Sequence, residues 1–204
     1  HPAAKAMAEA YLGDTELMDD FRVAPAAMQI HHAWIGGLLE HTLQLMKMAN
    51  EILPSYPRLN RDIVMIGLFI HDLGKVEELR WDTGFQYTRE GNLIGHIARG
   101  AMWLEEKAKV AEASLGSPLP DGFLTVLQHI VLSHHGQLEH GAAKLPSTPE
   151  AMFVSQLDNL DAQVQTSLDA ARPWEQSVTG DEAFTERIWS LGTKLYKRDP
   201  LSDE

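Results

Sequence analysis

The 204-residue chain contains no cysteine. Disulfide staples and thiolate metal sites are therefore excluded, and any metal must sit on histidine and carboxylate ligands. A cysteine-free chain also fits a reducing cytoplasm. No apolar run approaches the roughly 20 residues of a membrane span, and no signal-peptide pattern opens the chain, so no membrane partner is expected. Positive charge is scarce as well. Seventeen Lys and Arg face 29 Asp and Glu, leaving a formal net charge of −12 and an isoelectric point near 5.2. That balance argues against an extended basic groove for duplex nucleic acid. Neither an internal repeat nor a low-complexity tract is present.

What remains is an ordinary globular composition, 44% hydrophobic and 23% charged, enough for one domain with a sizeable core. Histidine is unusually frequent, at ten residues. The chain opens on His1 rather than methionine, from which we expect a fragment or processed chain with a domain missing upstream.

Hydrophobic periodicity predicts helices for most of the length. Pro2 to Asp20 reads as a lead-in helix, broken by Phe21 to Pro25. A long helix is expected from Ala26, its stripe running through Ile30, Trp34, Leu38, Leu45, Met48 and Ile52 with His41 beside it, and Pro54 ending it. Arg61 to His71 gives a second core helix. Alternation around Thr83-Gly84, from Leu79 to Thr88, predicts a small β-hairpin. Helices are then expected over about Leu93 to Leu115 and Asp121 to His135. Another runs from Pro149 to about Ala171, with Ser147 or Thr148 as its cap. The last, Glu182 to Leu195, would pack Phe184, Ile188, Trp189 and Leu191 on the core.

Within this frame Ile63 to Ile70 is a buried apolar run that ends in adjacent His71 and Asp72. A buried helix does not deliver an ionisable pair at its end without a partner for the charge. Gly74 offers a helix stop, and Lys75 sets a cation beside the carboxylate. A helix end also relaxes the divergence of adjacent side chains, allowing His134 and His135 to converge on one ion. Asp158 and Asp161, three apart, share a helix face. His129 and His140 fit no spacing and read as surface or supporting residues. Divalent first-row metals accept imidazole and carboxylate, and five His with two Asp can hold two ions.

In chain order His41, His71-Asp72, His96, His134-His135 and Asp158 spell H…HD…H…HH…D, and the chain resembles the HD-domain metal-dependent phosphohydrolases. The resemblance implies an all-α, PDEase-like HD bundle with a small β-hairpin insert over residues 25–204, preceded by a lead-in helix and linker over 1–24. It implies one metal on His41, His71, Asp72 and Asp158, and a second on His96, His134 and His135, with Asp72 bridging. Lys75 would bind a phosphate oxygen, so that Asp72 and Lys75 carry the catalysis. Manganese is the metal expected, with cobalt, iron, nickel or magnesium as alternatives.

The likeness extends to His31-His32-Ala33-Trp34-Ile35-Gly36-Gly37-Leu38-Leu39-Glu40-His41-Thr42, Leu59-Asn60-Arg61-Asp62, Glu90-Gly91-Asn92-Leu93-Ile94-Gly95-His96-Ile97, Leu132-Ser133-His134-His135-Gly136 and Asp158-Asn159-Leu160-Asp161-Ala162. These segments resemble the YhaM-like 3′→5′ exoribonucleases from roughly Pro25 to Ala170. That family usually carries an OB-fold RNA-binding domain upstream. The resemblance implies cytoplasmic trimming of single-stranded RNA, or of single-stranded DNA, from the 3′ end to nucleoside 5′-monophosphates. His31, His32, Lys75, Asn92 and Asp161 would touch substrate. A homo-oligomer stays open, as do three other activities. HD-GYP cyclic-dinucleotide phosphodiesterases share the ligand order, but their Gly-Tyr-Pro is replaced here by Gly136-Gln137-Leu138. A nucleotide phosphohydrolase and a diiron HD oxygenase are the other two.

Overall fold

Caps and turn residues cut the chain into helices. In the computed structural model, which describes residues 1–27, 34–81, 84, 86–172 and 183–201, the expected lead-in helix is two. Helix α1 spans Pro2–Leu12 and α2 spans Thr15–Val23. The Asp14 carboxylate accepts from the Leu17 N–H at 3.1 Å and starts α2 as its N-cap. The long helix expected from Ala26 begins only at Gly37, as α3, Gly37–Ile52, because residues 34–36 form a turn. Residues 28–33, and with them His31 and His32, lie outside the described residues.

Helix α4, Arg61–Ile70, is capped by Asn60, whose side chain accepts from the Asp62 and Ile63 N–H groups. One short turn later comes α5, Lys75–Glu78. The expected hairpin is present: β1, Leu79–Arg80, pairs antiparallel with β2, Gln86–Tyr87. The helix expected from about Leu93 to Leu115 is α7 (Gly95–Leu115), and a short helix that was not expected, α6 (Arg89–Leu93), precedes it. Then follow α8, Phe123–Ser133, and α9, Pro149–Ala171. Thr148 Oγ1 accepts from Ala151 N–H at 3.1 Å, so of the two capping candidates it is Thr148 that caps α9. The described chain is thus all-α with one two-stranded hairpin. No helix among the described residues is long and apolar enough to cross a membrane.

The chain divides into two compact units, His1–Asn159 and Leu160–Glu204. In the first, α4 is the central helix. Val64 and Leu68 are fully buried, and Phe69 meets Tyr11 and Phe21 edge-on, both at 6.1 Å between ring centres. At Gly67 a Cβ would lie 3.0 Å from the Ile130 side chain and 3.5 Å from Val154. This close approach of α4 to α8 and α9 draws their functional residues toward the end of α4. Helix α1 packs on α7 through Ala6, Ala10 and Ala111.

The second unit corrects the sequence reading. Residues 183–201 contain no helix; Phe184 bridges to Tyr196 and Ile188 to Thr193, both antiparallel. Phe184 and Trp189 are exposed rather than packed on a core.

Asp14 provides a test of the first unit. Besides capping α2 it accepts from the Lys107 ammonium of α7 at 2.5 Å. That hydrogen bond first, and the Leu17 N–H second, hold its carboxyl below the usual value. Asp14→Ala removes cap and ion pair together, at about 1 kcal/mol for the cap and at most about 1 for a partly exposed pair. Tm should fall by roughly 4 °C. Asp14→Asn keeps a competent cap and should lose less than half of that. Because the folded-state carboxyl is the stronger acid, the contribution is complete above its unfolded value of about 3.9 and disappears as pH falls through the lower folded value. The difference between wild type and Asp14→Ala in thermal melts should therefore be flat from pH 8 to 5 and shrink below 4; a difference that grows in acid contradicts the assignment.

Candidate metal centre

Three helix ends and two helix flanks meet at one point. His71 and Asp72 follow the last turn of α4, His134 and His135 follow α8, and His96 is in the first turn of α7. His41 comes from the second turn of α3 and Asp158 from the middle of α9. His41, His71, Asp72, His96 and His134 are all buried.

Helices α4 and α8 end in the same way. The Nδ1–H of His71 donates to the Leu68 carbonyl at 2.7 Å, and that of His134 to the Val131 carbonyl at 2.8 Å. Each imidazole thereby satisfies a carbonyl that the helix end leaves without an intrahelical partner. A carbonyl can only accept, so the proton is on Nδ1 and the Nε2 lone pair is directed away from the helix. His135 Nδ1 donates to the His140 carbonyl at 2.8 Å, which gives His140 a supporting role through its backbone. His129 Nε2 accepts from the Ser147 N–H at 2.8 Å, outside the cluster.

His96 is held by a residue that the sequence did not single out. Its Nδ1 is 2.9–3.0 Å from the two Glu78 carboxylate oxygens, and its backbone N–H donates to the same carboxylate at 3.1 Å. Burial acts to raise the Glu78 carboxyl, but the side-chain and backbone hydrogen bonds from His96, the His96 charge and the Lys75 ammonium together outweigh it and keep the group below its usual value. An ionised Glu78 fixes the His96 tautomer and leaves its Nε2 facing the cluster, the arrangement that orients metal-ligating histidines.

Four Nε2 atoms face Asp72 from two sides. Its Oδ2 is 3.6 Å from His71 Nε2 and 3.9 Å from His41 Nε2; its Oδ1 is 3.4 Å from His134 Nε2 and 3.5 Å from His96 Nε2. Asp158 Oδ1 lies 3.2 Å from His41 Nε2 and 3.8 Å from His71 Nε2. Two groups of candidate ligand atoms share Asp72, one with His41 and His71 and one with His96, His134 and His135, each within 4.8 Å.

These residues fit divalent metal ions. His71 Nε2, His96 Nε2, His134 Nε2 and Asp72 Oδ1 are buried and have no hydrogen-bond partner. Four such atoms would be costly anywhere else in a core. A divalent cation between these imidazole lone pairs and the carboxylate would give both a partner. Metal–ligand bonds of about 2.1 Å put neighbouring donors roughly 3 Å apart, close to the separations found.

Charge is managed in the same direction. Burial acts to raise the Asp72 carboxyl, but the Lys75 ammonium and then His71 hold it well below the usual range. Lys75 Nζ donates to Asp72 Oδ2 at 2.6 Å, and that carboxylate overcomes burial to raise the Lys75 ammonium. Desolvation pushes His71 down to about 4, against the pull of Asp72 and Asp158. It pushes His135 down to about 3, with His134 adding to the effect.

The substrate contacts implied by resemblance are less uniform. Asn92 is exposed on α6, and its amide donates to the Thr88 carbonyl at 2.8 Å; it does not join the cluster. Asp161 is buried one turn beyond Asp158. Lys75 rests on Asp72.

Comparison with known proteins gives a consistent result. A family model described as "HD domain" matches residues 38–163. The chain is 39% identical over 180 residues to the "3'-5' exoribonuclease YhaM" of Bacillus pumilus, covering 87% of this chain and 53% of that protein. The proteins of the same name in Listeria welshimeri and Bacillus subtilis are 37% and 36% identical, with the same coverage. The chain thus spans about half the length of these relatives. No solved structure matches it.

Proposed function

The chain belongs to the HD-domain family, and from that premise we propose that it is the catalytic part of a two-metal phosphodiesterase. Its reaction is the removal of nucleoside 5′-monophosphates from the 3′ end of single-stranded RNA, in the cytoplasm. The observation that carries this reading is the set of three partnerless buried imidazole nitrogens, of His71, His96 and His134, arranged on both sides of Asp72, whose Oδ1 is itself without a partner. The relatives named as exoribonucleases supply the substrate. Residues 25–204 are taken as the catalytic domain and 1–24 as a lead-in segment, with an RNA-binding neighbour upstream completing the enzyme.

In this reading His41, His71, Asp72 and Asp158 hold one ion and His96, His134, His135 and Asp72 the other, with manganese the metal expected. When bound, such ions activate water and neutralise charge that develops on a phosphoryl group. The protein's own contribution is preorganisation. The Leu68, Val131 and His140 carbonyls and Glu78 keep four imidazoles in the ligating tautomer. Lys75 keeps its proton at neutral pH and can turn from Asp72 to a substrate phosphate. Asp161, Asn92, His31 and His32 are the proposed substrate contacts. The test is a metal-supplemented digest of 5′-labelled single-stranded RNA. A ladder shortening one nucleotide at a time, abolished by chelator, is expected. Internal cuts, or hydrolysis of cyclic dinucleotides alone, would overturn the assignment.

The depressed histidines add a pH prediction for the metal-free protein. The unfolded chain protonates them near 6.5, whereas folded His71 and His135 resist to about 4 and about 3. Between those values the unfolded state binds more protons, so stability falls as pH falls. Each pH unit costs about 1.4 kcal/mol per such histidine. With chelator present, the urea midpoint should hold steady from pH 8 to 7 and drop steeply from 6.5 to 5. A midpoint unchanged down to pH 5 would show that these imidazoles are not buried in the neutral form.

A further inference from the structure

The segment after α9 has chemistry unlike the rest of the chain. Residues 183–197 pair as an irregular antiparallel turn: Thr185 N–H donates to the Leu195 carbonyl at 2.8 Å, Lys197 N–H to the Ala183 carbonyl at 3.0 Å, and Ile188 N–H to the Thr193 carbonyl at 2.8 Å. The pairing sets Phe184 beside Tyr196, ring centres 5.4 Å apart. Both rings are about half exposed, and Trp189, in the turn, is 90% exposed. Large aromatic side chains are ordinarily buried, and three left open on one short segment mark an interaction surface.

The charges around these rings indicate what the surface fits. Arg187, Lys194, Lys197 and Arg198 stand against Glu186 and Asp199, so residues 183–201 carry +2 (4 − 2) while the remainder carries −14 (−12 − 2). Lys194 is 3.9 Å from Glu186 in an exposed pair. The side chains of Arg187, Lys197 and Arg198 form no ion pair among the described residues. Aromatic faces interleaved with uncommitted cations match a strand of unpaired bases on a phosphate backbone, since any base can stack on a ring and each phosphate seeks a cation. A docking face for a protein core would be more continuously apolar and less charged at its centre.

We propose that residues 183–198 form a binding surface for single-stranded RNA, stacking bases on Trp189 and on the Phe184–Tyr196 pair and setting Arg187, Lys197 and Arg198 against phosphates. The inference rests on the RNA reading of the substrate and assigns part of the affinity to this chain itself. Duplex RNA is a poor ligand because its base faces are already stacked on one another.

The experiment is fluorescence anisotropy with a 5′-fluorescein-labelled single-stranded RNA of about 12 nucleotides, a length such surfaces cover, with chelator present to block cleavage. Trp189→Ala should weaken binding roughly 10-fold, the loss of about one stacked base. The Arg187→Ala/Lys197→Ala/Arg198→Ala variant should lower the salt slope, −dlog K/dlog[salt], by about 2, since each single-strand phosphate contact contributes about 0.7. Both variants should keep wild-type metal content and melting temperature, because Trp189, Arg187 and Arg198 are exposed and Lys197 is only partly buried. Affinity and salt slope unchanged in both variants, with wild type binding RNA, overturns the inference and leaves the metal-centre reading intact. So does a self-association of the wild type, seen by light scattering, that Trp189→Ala abolishes while RNA affinity holds. A wild type that binds no RNA overturns it too, and the digest of labelled RNA decides separately whether the proposed activity fails with it.

Discussion

Asp72→Ala is expected to abolish turnover and to release metal from both positions at once. Its two oxygens face different histidine pairs, His71 and His41 on one side and His134 and His96 on the other. No other carboxylate among the described residues is in both candidate ligand groups. Removing a group that stands behind a ligand costs about 10- to 100-fold in metal affinity or activity. Removing a ligand common to two ions should exceed that range, because charge neutralisation and water activation fail together. The same substitution leaves the largely buried Lys75 ammonium without its partner, and breaking a buried pair costs about 3–5 kcal/mol. Asp72→Asn, which keeps the shape, separates a folding defect from a ligand defect. Lys75→Ala should retain metal and lose rate, and Asp161→Ala should do less than either. Metal content by elemental analysis together with single-turnover rates tests the series. An Asp72→Ala protein that folds, keeps two ions and cuts RNA would end the two-metal reading.

The convergence of those seven residues could be anticipated because five of them announce themselves locally, while His41 and His96 become legible through the order H…HD…H…HH…D. A histidine or aspartate inside an apolar helix is conspicuous, and His71-Asp72, His134-His135 and Asp158 all interrupt apolar runs. Supporting groups are not conspicuous. Glu78 sits in an acidic dipeptide with Glu77, and nothing local distinguishes the one that reaches His96, 18 residues away, from the one that pairs with Arg99. The carbonyls of Leu68 and Val131 carry no sequence signal themselves, yet a histidine three residues beyond at a helix end is a signal that was open to reading.

Element errors have similar local causes. Phe184, Ile188 and Leu191 recur at helical spacing, which reads as an amphipathic helix. The cross-strand pairs Phe184–Tyr196 and Ile188–Thr193, together with β-branched Thr185, Ile188 and Thr193, favour extended pairing instead. In the lead-in segment, Asp14 following Gly13 is a stop-and-cap signature that the helical stripe of Ala and Met obscured.

Gly74→Ala is expected to disable the His96 side of the centre while sparing the other. The sequence presents this glycine as a helix stop, but its backbone is helical, with φ at −58°. An alanine there is conformationally permitted, so any effect comes from space alone. A Cβ at Gly74 would lie 2.2 Å from the His96 carbonyl oxygen and 2.8 Å from its carbonyl and α carbons. These are backbone atoms, and no rotamer change can move them aside. The start of α5 and the first turn of α7 must separate, taking His96 from Asp72 and stretching its hydrogen bonds to Glu78. Overpacking of this kind costs typically 1–3 kcal/mol, and a displacement of about 1 Å at a reacting centre can cost about 100-fold in rate. Titration with Co²⁺ should fall from two ions to one, the ion on His41, His71, Asp72 and Asp158 being retained. Gly116→Ala serves as the control: its φ of 68° imposes strain, but nothing lies within 4 Å of the added Cβ. It should lower stability and leave metal stoichiometry at two. If Gly74→Ala binds two ions and turns over RNA like the wild type, the tight contact between the two ligand-bearing turns does not position His96.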